Sequence, residues 1–242
     1  MKIAFISDVH GNLEAFTAVC ASIRHERVDR VVFLGDIVGY GANPNECIEL
    51  LQTLTGHSVA GNHDWAATGR QSTDSFNSVA REAIAWTCAQ LSTENKQFLM
   101  ELPLTLEMNE FFCVHATPYM PEQWRYVYNA LDAEDAFVTF EQRLCLLAHT
   151  HCPAIFVKRA DTPVVREMSS QVTLHPGSRY IINCGSVGQP RDGDPRASYG
   201  IIDESCSQYY LVRVDYDVAS VKKKILQAGL PDFLAHRISV GR

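Results

Sequence analysis

Residues 1–36 read MKIAFISDVHGNLEAFTAVCASIRHERVDRVVFLGD, and this stretch decides the fold class. Residues 2 to 7 (KIAFIS) are an apolar run closed by a polar residue, the pattern of a strand buried on both faces. Leu13, Phe16, Val19, Cys20 and Ile23 then recur at helical spacing, and residues 30 to 34 (RVVFL) repeat the buried-strand pattern. Strand, helix, strand within so short a span predicts an α/β chain. Asp8 and His10 directly follow the first strand, and Asp36 follows the second.

Outward from there the alternation continues. Asn43 and Pro44 read as an N-cap and first helical residue, opening a helix through Ile48, Leu51 and Leu54. A short strand is expected at 57 to 60, with Asn62 and His63 just beyond it, and helical patterning runs from 74 to 101 until Pro103 stops it. EFFCVH (110 to 115) and LCLLAH (144 to 149) are again buried strands, ending on His115 and His149, with His151 two residues on. Strand-like runs at 153 to 158, 180 to 184, 198 to 203 and 208 to 215 then crowd together, leaving room for a helix from about 217. The expected architecture is a mixed sheet, or two sheets packed together, flanked by helices. No Pro/Gly/Ser-rich linker, low-complexity tract or repeat interrupts the chain, so a single domain over 1–242 is expected.

Composition excludes several classes of protein. No apolar run approaches the roughly 20 residues needed to cross a bilayer, and Asp8 and His10 interrupt the N-terminal apolar run before a signal-peptide core forms. The eight cysteines make no CxxC pair and mostly sit inside apolar runs, as small buried hydrophobes in a reducing cytoplasm do. A cytoplasmic protein without a membrane partner is expected. A net charge of −7 argues against holding a nucleic-acid polymer by its backbone, and the one lysine cluster, Lys222 to Lys224, reads as a solvated helix face. An acidic protein that handles phosphate needs local positive charge, which divalent cations supply.

Asp8, His10, Asp36, Asn62, His63, His115, His149 and His151 all fall just beyond expected strands. In α/β sheets that edge is where loops converge on a site, so residues distant in sequence meet there. A single His or Asp beyond a strand is usually a capping or hydrogen-bonding residue. Of the five imidazoles, four with two carboxylates and an amide converging together would be costly to desolvate without an electropositive centre, and bound metal is the simplest account. Mixed imidazole and carboxylate donors without thiolate suit manganese, iron, zinc, cobalt or nickel better than calcium.

The order D-V-H-G-N, G-D, G-N-H-D, a later V-H, and H-T-H resembles the calcineurin-like metallophosphoesterase superfamily from Asp8 to His151. The resemblance implies a four-layer α/β/β/α sandwich with a dinuclear centre of two divalent metals. It implies that Asp8, His10 and His151 serve the first metal, that Asn62, His115 and His149 serve the second, and that Asp36 bridges them. His63 matches the catalytic histidine that is not a ligand, and Asn62 also faces the substrate. The implied activity is hydrolysis of a small phosphodiester, phosphomonoester or nucleoside polyphosphate by in-line attack of a metal-bridging hydroxide, with a protonated His63 stabilising the leaving oxygen.

Ala148 and Ala116 replace glycines common in the family, and an added methyl at either place is expected to narrow the pocket. The chain reads GDIVGYG and VAGNHD where protein Ser/Thr phosphatases carry phosphate-gripping arginines, which disfavours the alternative of a phosphoprotein phosphatase. The other alternative, a catalytically weak scaffold of this fold, predicts eroded ligands, and all seven are present. GYGANPNE (39 to 46) and NCGSVGQPRDGDPRASYGI (183 to 201) resemble the small bacterial and archaeal phosphodiesterase-like branch. Within the second run Arg191 either grips a substrate phosphate or pairs with Asp192 or Asp194. Tyr40 either stacks on a substrate base or simply packs.

Overall fold

The computed structural model describes residues Met1–Arg242. Eleven strands form two mixed sheets. The first contains β1 (Lys2–Ile6), β2 (Arg30–Phe33), β8 (Gln171–Thr173), β10 (Ala197–Asp203) and β11 (Gln208–Val214), in the order β2-β1-β10-β11-β8. The second contains β3 (Thr105–Met108), β4 (Phe111–Val114), β5 (Leu144–Leu147), β6 (Ala154–Arg159), β7 (Val165–Glu167) and β9 (Ser178–Asn183), in the order β3-β4-β5-β9-β6-β7. β1 runs parallel to β2, and β4, β5 and β9 run parallel to one another; the remaining pairs are antiparallel.

Side-chain alternation along the strands builds the layers. Ile3 and Phe5 of β1 turn inward with Val32 and Leu34, meeting Phe111, Cys113, Leu144, Leu146 and Ile182 of the other sheet in a shared apolar layer. Ala4 and Ile6 turn outward with Phe33 and Tyr199 against α1 (Leu13–His25), α2 (Pro44–Leu54) and α3 (Asn62–Ala67). Phe112, Cys145, Phe156 and Ile181 face the opposite way, onto α6 (Ala130–Phe137). The α/β/β/α sandwich is therefore lopsided, with one helix covering the second sheet. The helices α4 (Ser78–Gln90), α7 (Val218–Gln227) and α8 (Asp232–Arg237) form a separate apolar cluster around Tyr40.

Two expectations need correction. The strand expected at 57 to 60 is only a parallel bridge between Phe33 and Ser58, because the chain must turn at Gly61 to open α3. The run from 74 to 101 is two helices: Leu91 is extended, and Ser92 caps α5 (Thr93–Glu101) by accepting from the Asn95 amide at 3.1 Å. Asn43 and Pro44 occupy the N-cap and first helical positions of α2 as expected, although the Asn43 side chain donates to Glu46 at 2.9 Å and accepts from Lys224 at 3.1 Å in place of a capping bond. Helix α6 was not expected, although Asn129 and Asp132 form a capping box at its start.

Candidate metal centre

Loops leaving β1, β2, β4 and β5 meet at one place, joined there by the start of α3. The donor atoms of Asp8, His10 and His151 lie within 4.8 Å of one another, as do those of Asp36, His115 and His149. All six side chains are buried, and so is Asn62, the first residue of α3, whose Oδ1 has no partner. His63 also falls within 4.8 Å of His10 and Asp36, so proximity alone does not set it apart from the other imidazoles.

The hydrogen bonds decide which nitrogen each imidazole presents. Nδ1 of His10 donates to the Val38 carbonyl at 2.9 Å, that of His115 to Leu34 at 2.8 Å and that of His151 to Gln189 at 2.7 Å. A carbonyl only accepts, so each Nδ1 carries hydrogen, and each ring, whenever it is neutral, turns a lone pair inward through Nε2. Burial holds His10, His149 and His151 well below the usual imidazole range, which keeps them neutral. The Nε2 atoms of His10 and His151 then stand 3.1 Å apart, lone pair against lone pair, with Asp8 Oδ1 3.4 Å from the latter. Both Asp8 oxygens are buried without a hydrogen-bond partner, and burial, more than any neighbour, pushes this carboxyl up to about 7. A cation among these atoms removes the repulsion and satisfies the orphaned oxygens, so the residues fit a metal.

In the second group His115 Nε2 lies 3.3 Å from Asp36 Oδ2 and 3.2 Å from His149 Nδ1. Burial works against the charged imidazole of His115, yet Asp36 and then Asp8 raise it to about 9. Burial opposes ionisation of Asp36 as well, but the neighbouring imidazoles, His115 first, hold it below the usual carboxylate range. Asp36 Oδ2 is also 3.6 Å from His10 Nε2, which puts it between the two groups.

The backbone pays locally for this convergence. Asp8, His10, Asp36, His149 and His151 all have left-handed φ, between 49° and 68°, a region costly for residues with a Cβ. Thr150, between the last two, donates its amide to Ala148 at 2.8 Å, and this tight turn sends His149 to one group and His151 to the other. Gly61 is required: a Cβ there would collide with the Asp36 carboxylate.

Two residues outside the expected set hold the loops. Asp64 accepts from the amides of Asp36 at 2.8 Å, Ile37 at 3.0 Å, Val38 at 3.3 Å and Gly61 at 2.9 Å, tying the Asp36 loop to α3. Its place in the G-N-H-D run was the available signal. Asn183 donates to Ala148 O at 2.7 Å and Thr150 Oγ1 at 3.0 Å, bracing the His149–His151 turn; its place at the head of the NCGSVGQ run was the available signal, without pointing to that role. Ala148 itself belongs to the apolar layer between the sheets, so its methyl does not narrow a pocket here.

Arg191 is not paired as the salt-bridge alternative required. Asp192 pairs with Arg213 and Asp194 with Arg196, while Arg191 donates to Gln189 Oε1 at 2.8 Å and keeps a buried Nε without a partner. The turn-rich segment carrying it lies against the loop leaving β1: Gly188 N and Ser186 Oγ both donate to Asp8 O, at 2.9 and 2.8 Å. Tyr40 packs, with its ring centroid 4.7 Å from His10 and 4.5 Å from His63. His63 has a buried, unpartnered Nδ1, and burial pushes it down to about 4 against the pull of Asp36. A methyl at Gly39, whose φ is +90°, would come within 2.5 Å of that nitrogen.

Residues 1–206 match the model of the calcineurin-like phosphoesterase superfamily domain, and the chain belongs to that superfamily. Among particular relatives, protein MJ0912 of Methanocaldococcus jannaschii is 41% identical, covering 99% of this chain and 98% of its own length. The crystal structure of a metallophosphoesterase from Sphaerobacter thermophilus superposes with a TM-score of 0.87 at 43% identity, covering 100% of this chain and 99% of the other. Phosphodiesterase YfcE of Escherichia coli is 27% identical over 84% of this chain and 88% of its own. The mixed two-sheet sandwich is thus the metallophosphoesterase fold. No helix is long and apolar enough to cross a membrane.

Proposed function

We propose that this protein hydrolyses small phosphoesters with the help of two divalent cations. Asp8, His10 and His151 would hold one, Asn62, His115 and His149 the other, and Asp36 would serve both. The observation that carries the reading is the cluster itself: the facing lone pairs of His10 and His151 and two Asp8 oxygens without a hydrogen-bond partner, all buried. When bound, the cations supply Lewis-acid charge to phosphoryl oxygens and make water acidic enough to act as a nucleophile near neutrality.

The protein's own side chains supply the rest. Arg191, unpaired at Nε, binds a phosphoryl oxygen and orients the ester. Asp64 and Asn183 keep the ligand loops in register. His63, locked by Tyr40 and Gly39, hydrogen-bonds the departing oxygen and delivers a proton to it; the negative charge of a bound ester opposes the burial that otherwise keeps this ring neutral. The phosphodiesterase name of the E. coli relative supports a diester among the substrates.

Metal-loaded protein should hydrolyse activated aryl phosphoesters faster than chelator-stripped protein, with manganese, iron, zinc, cobalt and nickel each tried. Absence of metal-dependent turnover in all five would favour the scaffold alternative. His63→Gln should keep both metals yet lose about 10²- to 10⁴-fold in kcat on an alkyl or nucleoside ester, and distinctly less on a nitrophenyl ester that needs no proton. Equal losses on both esters at full metal occupancy would remove the proton-delivery role.

A further inference from the structure

A cavity of about 280 Å³ opens beside the metal-ligand cluster, with His63 and His149 at its inner end. Two loops wall it: residues 68–77, which contribute Gln71 and Phe76, and residues 115–129, which contribute Gln123, Trp124 and Tyr126. The rings stand around the histidines. Phe76 is 5.0 Å from His63, Trp124 is 6.0 Å from His115, and Tyr126 lies flat on His149 at 4.2 Å.

The cavity carries no Asp, Glu, Lys or Arg. Cationic charge lies outside this lining, beside Tyr40. Arg191 is 5.8 Å from the Tyr40 ring, and Arg237 is close enough that, after burial itself, Arg191 helps lower it to about 10. An ester spanning the cluster therefore meets charge at one end and uncharged aromatic and amide groups at the other. Residual phosphate charge belongs with the arginines and the organic group with the rings.

Besides His63 Nδ1, two buried polar atoms of this lining lack partners: Gln71 Oε1, an acceptor, and Trp124 Nε1, a donor. Buried polar groups are ordinarily paired, so each marks an unfilled hydrogen bond. A purely hydrocarbon occupant leaves both unmet, whereas a planar heteroaromatic with a donor and an acceptor on its edge meets both while its faces contact the rings. The volume lies at the low end of small-ligand pockets, which fits one such group and its sugar.

We propose that this cavity is the leaving-group subsite and that it takes a nucleobase, so that the substrate is a nucleoside phosphoester. The inference rests on the hydrolase reading. Hydrolysis breaks the bond from phosphorus to the nucleoside oxygen, adds the hydroxyl of water to phosphorus, and passes the remaining proton across His63 to the departing oxygen.

Two measurements test it. Tryptophan emission of the metal-loaded protein, excited beyond nucleoside absorption, should change saturably with at least one of adenosine, guanosine, cytidine and uridine, and not with ribose. Trp124→Phe should remove the signal, and Gln71→Leu should weaken the binding at least about 10-fold. For turnover, kcat/KM for the nucleoside ester should exceed that for the matching ethyl ester by about 100-fold, the scale of one base stack with hydrogen bonds, and Phe76→Ala should cut the ratio below about 10. Turnover of ethyl and nucleoside esters at equal kcat/KM, with no nucleoside binding, overturns the subsite and leaves the hydrolase reading intact. Nucleoside binding without turnover of any ester leaves the subsite and overturns that reading.

Discussion

The two halves of the candidate metal centre are held differently. His10 and His151 each have the outer nitrogen tied to a backbone carbonyl, and Asp8 sits under the segment of Ser186 and Gly188. In the other half only His115 is tied this way. His149 presents Nδ1 inward and rests its ring on Tyr126, which is 44% exposed and itself stacked on the half-exposed Tyr128. Ligands oriented by outer hydrogen bonds bind metal more tightly than ligands that must be ordered on binding. One half is therefore pre-organised, and the other keeps an adjustable ligand on the side where the aromatic cavity opens.

Asp36→Asn breaks the comparison outright, because Asp36 belongs to both halves: a neutral amide should leave neither site able to retain metal through desalting. A variant holding two metals per chain by elemental analysis would show that Asp36 bridges nothing. Asp64→Asn comes next. Asp64 anchors the Asp36–Val38 amides, and Val38 in turn orients His10, so affinity at both sites should fall together by about 10- to 100-fold in chelator competition. Loss confined to one site would mean that the loop does not brace both.

The smallest effect sharpens the difference. Tyr126→Ala removes the surface under His149 alone, and a stacked aromatic contact is worth about 0.5–1.5 kcal/mol, or roughly 2- to 10-fold in affinity. Stepwise metal release by a chelator should show the weaker step becoming weaker still while the tighter step stays in place. Equal movement of both steps would erase the distinction between the halves.

What was legible in the sequence follows the same physics. Side chains that must reach the centre sit at strand ends in short local patterns, and the chain displays them from Asp8 to His151. Most strands were legible too, since buried apolar runs mark them wherever they lie in the order of the sheet, but those patterns left one mixed sheet or two open, and only the family resemblance implied the two-sheet sandwich. The braces were not. Asn183 matters only because β9 brings it beside Ala148, and no local rule encodes that neighbour. The strand expected at 57 to 60 failed for a related reason: apolar residues there serve a turn into α3 more than a ladder. The pairing of Arg191 with a neighbouring aspartate failed because Arg213 and Arg196, 22 and 5 residues further on, occupy both.

The position of β1 between β2 and β10 has a consequence for how the chain is made. β2 follows it within 30 residues, but β10 ends at Asp203, and the Gly188 amide that covers Asp8 also comes late. A ribosome adding about 5–20 residues per second needs roughly 10 to 30 s to produce that second partner after β2 has emerged. Throughout that interval the strand leading into Asp8 and His10 has one open edge, exposed to pairing with other chains. Covering that edge is thus the last structural step that closes the Asp8 side of the centre.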